Sequence, residues 1–426
     1  MDGKYFHSVI LKADKCFGCT SCLKVCPTEA IRLREDKAAI IGERCIDCGE
    51  CIRICPSHAK SAVTDSLEIL KNFKYTIAIP TMVIYGQFPN NPGIGQINSA
   101  IKKVGFDEVY ENTFGAEIIS NVISNHILKK PGIKRPLISS SCPAILRLIQ
   151  LRFPDLLENV VDIDTPVEIS ARIAKLEAVK KTGLKMEDIG VIYITPCTAK
   201  VTSIRNPLGI AKSYLDGAVS MKDIYGAVFR NLSGSAADYT ARGHKESLMW
   251  SVIEGESGAM GLENYLAVDG IKEVIKVLED IEMGKLDDLE FLEGMACIGG
   301  CVGGPLTLEN PFIAKNRLKT LSKKLPTLDN SKADEEYIRM YESGFIKLTE
   351  KIEPRSILKL DDDIEKSMKK MEMIKEILRY LPGLDCGVCG APTCRAFAED
   401  IVKGENPKAI CIVKTMQSYK GKKTDI

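Results

Sequence analysis

The sequence predicts an α/β body flanked by two small cysteine-rich modules, α+β at the front and mostly helical at the end. Three observations carry that prediction. Short β-branched apolar runs, Tyr75–Pro80 and Val191–Pro196 among them, alternate with helical stretches such as Pro166–Lys181 and Ile271–Met283. Eight cysteines crowd between Cys16 and Cys55, and four more lie between Cys386 and Cys411. A charged stretch with Leu, Ile and Met at helical spacing, LDDDIEKSMKKMEMIKEILRY, separates the middle from the end.

In chain order, residues 1–68 form the first module, whose paired cysteine motifs are the one clear internal repeat. Residues 69–347 form the body, in which Thr165 stands as an N-cap with Pro166 at the first helical position. Residues 348–379 read as a linking amphipathic helix and 380–426 as the terminal module. With 426 residues, 45% hydrophobic and 27% charged, a soluble chain of two or three domains is expected. A net charge of +1 implies neither nucleic acid nor an anionic membrane as partner. No apolar run approaches the ~20 residues that span a bilayer. The opening MDGKYFHSVILKADKC holds no apolar signal-peptide core, so a cytoplasmic, reducing location is expected. One Trp and four His argue against His-rich zinc or copper chemistry.

The 16 cysteines fall into four sets of four with none left over. A cubane cluster needs four thiolates, so the chain is built to hold iron and sulfur. Cys16, Cys19, Cys22, Cys26 and Cys45, Cys48, Cys51, Cys55 each read C-x2-C-x2-C-x3-C-P, the two-cluster ferredoxin spacing. In that spacing the fourth cysteine ligates the other cluster. One cubane is therefore expected on Cys16, Cys19, Cys22 and Cys55, and its twin on Cys45, Cys48, Cys51 and Cys26. The last set, Cys386, Cys389, Cys394 and Cys411, reads C-x2-C-x4-C-x16-C. Cys394 is expected at a helix start, where amide N–H groups favour an anionic cluster. Spacing alone does not name the metal, and zinc stays open for this set.

The third set is scattered over SSSCPA (139–144), TPCTAK (195–200) and FLEGMACIGGC (291–301). Two of these motifs follow apolar runs, PLIS and VIYI, which places Cys142 and Cys197 at strand ends, where open α/β sheets hold ligands. Glycines 299, 300, 303 and 304 are expected to let backbone approach a bulky cofactor. The three motifs resemble the signatures of the iron-only ([FeFe]) hydrogenase catalytic domain, TSCCP, MPC-x-x-K and E-x-MAC-x-GGC. The resemblance covers roughly residues 75–347 and includes FGAE at 114–117, SGSA at 233–236 and the run after Pro311. It implies a cubane on Cys142, Cys197, Cys297 and Cys301. Cys301 would bridge to a di-iron unit carrying CO, cyanide and an azadithiolate, the whole forming the H-cluster. Lys200 would hydrogen-bond a cyanide, Met295 would pack near the di-iron unit, and Pro80 and Thr81 would line it. Three accessory [4Fe-4S] clusters would complete the set. The terminal module resembles the small cubane domain of corrinoid iron–sulfur proteins, of a membrane redox complex subunit and of sensory-type [FeFe] hydrogenases.

The departures from that family matter as much. Its first motif has two adjacent cysteines, and the first of them passes protons to the bridging amine; here that position is Ser141. A thiol of reference pKa about 8.5 exchanges protons near neutral pH, whereas a serine hydroxyl is far harder to ionise. Counted from FGAE, the two relay carboxylates of the family fall at Ile123 and His126. Thr195 replaces the usual Met, and GGGQP is shortened to GGPLT. The expectation is a slow enzyme or a sensor of H2, acting on H2 and protons. It would relay electrons to a ferredoxin or a signalling or electron-transfer subunit, and depend on hydrogenase maturation proteins. Ser141→Cys alone is not expected to restore turnover, since Ile123 still interrupts the relay. A bland counter-reading routes protons through His126 and Glu117. Two alternatives stand beside this reading: a metabolic hydrogenase subunit of an electron-transfer complex, and a non-enzymatic iron–sulfur protein without the di-iron unit.

Overall fold

The structure, a computed structural model, describes residues 5–233, 241–355, 360–361, 363–405 and 410–421, with side chains through 417. Of the SGSA run, 234–236 lie outside the described residues. The chain forms two compact units. One holds Met1–Cys45, Glu50–Ala62 and Arg355–Ile426; the other holds Ile46–Gly49 and Val63–Pro354. The cysteine modules at the two ends of the sequence thus fold into the same unit.

The cysteine-rich unit carries four short strands, β1 (Val9–Leu11), β2 (Ile31–Arg34), β3 (Lys37–Ile40) and β4 (Lys60–Ala62). β1 pairs antiparallel with β4, and β2 with β3. Cys22 and Cys51 ride on one-turn helices, Ser21–Val25 and Glu50–Arg53, whose likeness reflects the repeat. The amphipathic stretch forms a helix over Ile364–Tyr380, capped by the Asp363 carboxylate, which accepts from the amides of Glu365 and Lys366. Its apolar stripe does not merely link. Ile374, Ile377 and Leu378 pack with Leu360, Leu381, Ala398 and Val402, burying the helix face against the terminal module. The helix Cys394–Val402 starts at Cys394 as the sequence indicates, with Thr393 Oγ1 accepting from Ala396 N at 3.0 Å.

The body is an α/β layer structure with two parallel sheets. Its strands are β5 (Tyr75–Pro80), β6 (Glu108–Val109), β7 (Leu137–Ile138), β8 (Ile189–Thr195), β9 (Gly217–Ser220), β10 (Tyr265–Asp269) and β11 (Phe291–Met295). One sheet runs β6-β5-β8-β9 and the other β10-β11-β7. β5 and β8 are in register from Tyr75 opposite Ile189 to Pro80 opposite Ile194. All seven residues of β8 are buried, as expected of a parallel strand covered on both faces, which explains its unbroken IGVIYIT. The helix Pro166–Thr182 begins where predicted, but Thr165 makes no side-chain cap. Instead Asp164 Oδ1 accepts from Thr165 N at 2.7 Å, one residue earlier. Among the described residues no helix is long and apolar enough to cross a membrane.

Candidate functional site

Four chain segments leave the C-terminal ends of parallel strands and converge. β5 leads into Thr81, β7 into Ser139–Cys142, β8 into Cys197 and β11 into Cys297. This is the end of an α/β sheet where ligands bind, since strand polarity gathers the loops there. One cavity is lined by Thr81, Ser141, Cys142, Cys197, Lys200, Met295, Cys297 and Cys301. Cysteines separated by more than a third of the chain thus meet at one place. Pro80, expected in the lining, is the buried last residue of β5 and leaves the wall to Thr81, whose side chain hydrogen-bonds Tyr193. Met82, Asn112, Trp250, Ser251 and Glu256 also line the cavity, and the sequence reading did not single them out.

The electrostatics of the cavity fit a cationic cluster core with anionic ligands. Burial first, and then the neighbouring thiols, push Cys197 up to about 12 and Cys301 well above its ordinary range. Thiols this mutually unfavourable as anions are what iron would relieve. Lys200 forms no ion pair among the described residues, leaving its ammonium for a ligand. Asn112 Oδ1 and Ser251 Oγ are buried polar atoms of the lining with no hydrogen-bond partner. Such orphans are rare in a finished interior and mark a place where a polar group belongs. The donor set therefore fits the H-cluster implied by the motifs.

Two of the glycines, Gly300 and Gly304, line the cavity and sit where protein segments cross. A β-carbon on Gly300, at φ +87°, would stand 2.8 Å from Ile253 N, Ser251 O and Met295 Sδ. One on Gly304 would stand 2.5 Å from Pro196 O. They let protein segments cross tightly at the cavity wall, and the close approach is protein to protein.

Behind Ser141 stands an acidic pair. Ser141 Oγ donates to Glu256 Oε1 at 3.2 Å, and Ser139 Oγ donates to both Glu256 oxygens at 2.8 and 2.7 Å. Burial, and then the charge of Glu293, push Glu256 up to about 8. Glu293 sits mid-strand in β11 with 0% exposure, and burial pushes it up as well. Its Oε2 accepts from Ser257 N and Oγ, both at 2.9 Å, while Oε1 has no partner. The charge of the exposed Glu254 also raises Glu293. A carboxylate inside the strand FLEGM was the sequence signal that could have revealed this pair.

The other candidates for a proton route stand elsewhere. Ile123 is buried in a π-helical turn, Ile123–Ile127. His126 faces Glu342, at 3.9 Å, and the Tyr341 ring. Glu117 accepts from Ser247 Oγ at 3.0 Å and pairs with His244 Nδ1 at 2.6 Å. Neither Glu117 nor His126 lines the cavity.

In the cysteine-rich unit, Cys16, Cys19, Cys22 and Cys55 line one cavity, the combination that the crossed spacing calls for. The repeat shows again in the fourth cysteine of each motif: Ala30 N donates to Cys26 Sγ and Ala59 N to Cys55 Sγ, both at 3.2 Å. Cys386, Cys389, Cys394 and Cys411 line a further cavity, and Asp385 Oδ1 fixes the last loop by accepting from Cys394 N at 2.6 Å.

Comparison with known proteins agrees with these observations. The family model described as iron only hydrogenase large subunit, C-terminal domain, matches residues 75–224 and 220–305, over half of the chain. A 4Fe-4S dicluster domain matches 8–56, and an Fe-S cluster family matches 381–413. Iron hydrogenase 1 of Clostridium pasteurianum is 23% identical over 309 residues, 59% of this chain and 53% of that protein. The chain thus spans about half the length of this relative. The periplasmic [Fe] hydrogenase large subunit of Nitratidesulfovibrio vulgaris is 25% identical over 402 residues, 78% of this chain and 95% of that one. A solved [FeFe]-hydrogenase from Chlamydomonas reinhardtii superposes with a TM-score of 0.50 at 15% identity, covering 67% of this chain and 95% of its own.

Proposed function

The chain belongs to the iron-only hydrogenase family, and from that premise we propose that it splits or senses H2 at an H-cluster with slow turnover. The observation that carries this is the convergence of Cys142, Cys197, Cys297, Cys301, Lys200 and Met295 on one buried cavity. The cysteines would hold the cubane, with Cys301 as the bridge. Lys200 would donate to a cyanide as a charge-assisted hydrogen bond. Thr81 and Met295 would pack against the di-iron unit and exclude water. When bound, that group supplies the redox chemistry of heterolytic H2 cleavage.

The protein's own part is the proton. Ser141 Oγ is a hydroxyl at the cavity wall, and its hydrogen bond leads to Glu256. Burial raises both carboxyls and the charge of Glu293 raises Glu256 further, so the pair favours holding a proton. Ser141 would pass that proton by accepting and donating together, because its hydroxyl does not ionise at working pH. The pair keeps a route open while the serine makes it slow. This supports a sensing or low-flux role in which electrons pass to a separate redox partner through accessory cubanes. The test is an anaerobic infrared spectrum after loading with the di-iron cofactor, under argon and then H2. Bands of metal-bound CO and cyanide that shift under H2 are expected. Filled cubanes without such bands would move the protein to the electron-transfer class.

A further inference from the structure

Between the first and last cysteine quartets lies an unusual seam, all within the cysteine-rich unit. The loop Cys386–Gly390 lies against the ferredoxin-like part. A β-carbon on Gly387 would stand 3.2 Å from Leu23 Cδ2 and 3.7 Å from Lys24 Cε. One on Gly390 would stand 2.6 Å from Leu33 O, and both glycines hold positive φ, +77° and +83°. Leu33 N donates to Gly390 O at 2.8 Å. Leu23 and Leu33 are themselves lining residues of the Cys16, Cys19, Cys22 and Cys55 cavity. The wall of one cluster cavity is therefore in contact with the binding loop of the other, and glycine is the residue that permits that approach.

The seam is locked by charge. Asp400, 3% exposed, accepts from Arg32 Nε at 2.8 and 3.0 Å and from Arg34 Nη2 at 2.6 Å. Glu399 Oε2 accepts from Arg44 Nη2 at 2.9 Å, and Thr393 Oγ1 donates to Glu29 at 3.0 Å. Asp400 and Glu399 lie on the helix that starts at Cys394. Buried ion pairs are a poor way to gain stability, since desolvation cancels much of their attraction. What they do well is fix one orientation, and here they fix a cluster-bearing helix on the β2–β3 hairpin.

From this we infer that the terminal quartet holds a cubane in direct one-electron exchange with the Cys16, Cys19, Cys22 and Cys55 cubane. The terminal cluster is then an extension of the ferredoxin pair. In each exchange one cubane loses a single electron and the other gains it, with no atom transferred. The net electron comes from a low-potential reductant, dithionite in the test. The inference rests on the iron–sulfur part of the reading above and is measured without the di-iron unit, so it can fail while the hydrogenase reading stands.

The experiment is electron paramagnetic resonance of the full chain, reconstituted with iron and sulfide and reduced with dithionite. Two variants each delete one partner, Cys386→Ser with Cys389→Ser, and Cys16→Ser with Cys22→Ser. The signal of the terminal cluster is expected to be sharp when the first quartet is deleted and broadened by spin coupling in the intact chain. An intact-chain spectrum in which the terminal signal keeps the same sharp shape overturns the inference. So does a terminal quartet that takes zinc and gives no signal. Asp400→Asn keeps every cysteine and is expected to lose the broadening at unchanged iron content. If that variant fails to fold, the cysteine pairs still decide the matter.

Discussion

Ser141 and Glu256 show how one hydrogen bond changes the reading of a substitution. From the sequence, Ile123 in place of a relay carboxylate made Ser141→Cys futile. The structure puts a different carboxyl at 3.2 Å from Ser141, independent of Ile123. Ser141→Cys is therefore expected to raise H2 turnover of the loaded protein, and to do so only while Glu256 is present. Glu256→Gln alone should lower turnover about 100-fold, the smaller end of what a positioned acid–base group contributes. Its CO and cyanide bands should be unchanged. Equal turnover in wild type and Glu256→Gln would remove Glu256 from the route. A second consequence concerns pH. The Glu256 carboxyl is raised from an ordinary 4.5 to about 8, so between those values the folded chain keeps a proton that the unfolded chain releases. Its contribution to stability is full below 4.5 and is lost as pH rises through about 8. Glu256→Gln, which cannot ionise, should melt closer to wild type, or above it, at alkaline pH than at acid pH. Parallel melting curves from about pH 5 to 8.5 would contradict this.

Individual elements were legible in proportion to how local their causes are. β5 was bounded correctly because its apolar run ends at Pro80, and the helix at Cys394 because Thr393 caps it. Thr165 does stand at the N-cap before Pro166, but its side chain makes no cap hydrogen bond, and its own amide is held by Asp164. The glycine-rich loop after β11 was recognised as special, but its reason is tertiary. What presses on Gly300 is Ser251 and Ile253, about fifty residues earlier, and no local pattern announces that crossing. This gives a prediction on the element. Gly300→Ala must force an L residue into φ +87° against three atoms at 2.8 Å. Strain and overpacking of this kind cost about 3 kcal/mol together. A fall in Tm of roughly 3–5 °C is expected by differential scanning of the cluster-loaded protein. A shift within experimental error would mean that the loop relaxes freely.

At the scale of the molecule, the four quartets were visible in spacing, but their grouping was not. Sequence order put cysteine modules at both ends of the body. Folding brings Asp400 to Arg32 across 368 residues and makes the two modules one unit. No periodicity encodes such a contact; it depends on two buried charges finding each other. The molecular consequence can be measured as iron and as electron flow. Four cubanes and a di-iron unit amount to about 18 irons per chain. The Cys386→Ser, Cys389→Ser pair should lower that by about four and leave the H2-responsive infrared bands intact, because its lesion lies outside the body. The same variant should slow the H2-driven reduction of an added ferredoxin if electrons leave through the terminal cubane. If instead the ferredoxin is reduced at the wild-type rate, electrons leave from the first two quartets and the terminal cubane stores an electron rather than passing it on. Spin coupling without loss of flow would then identify a reservoir, which would suit the proposed low-flux role.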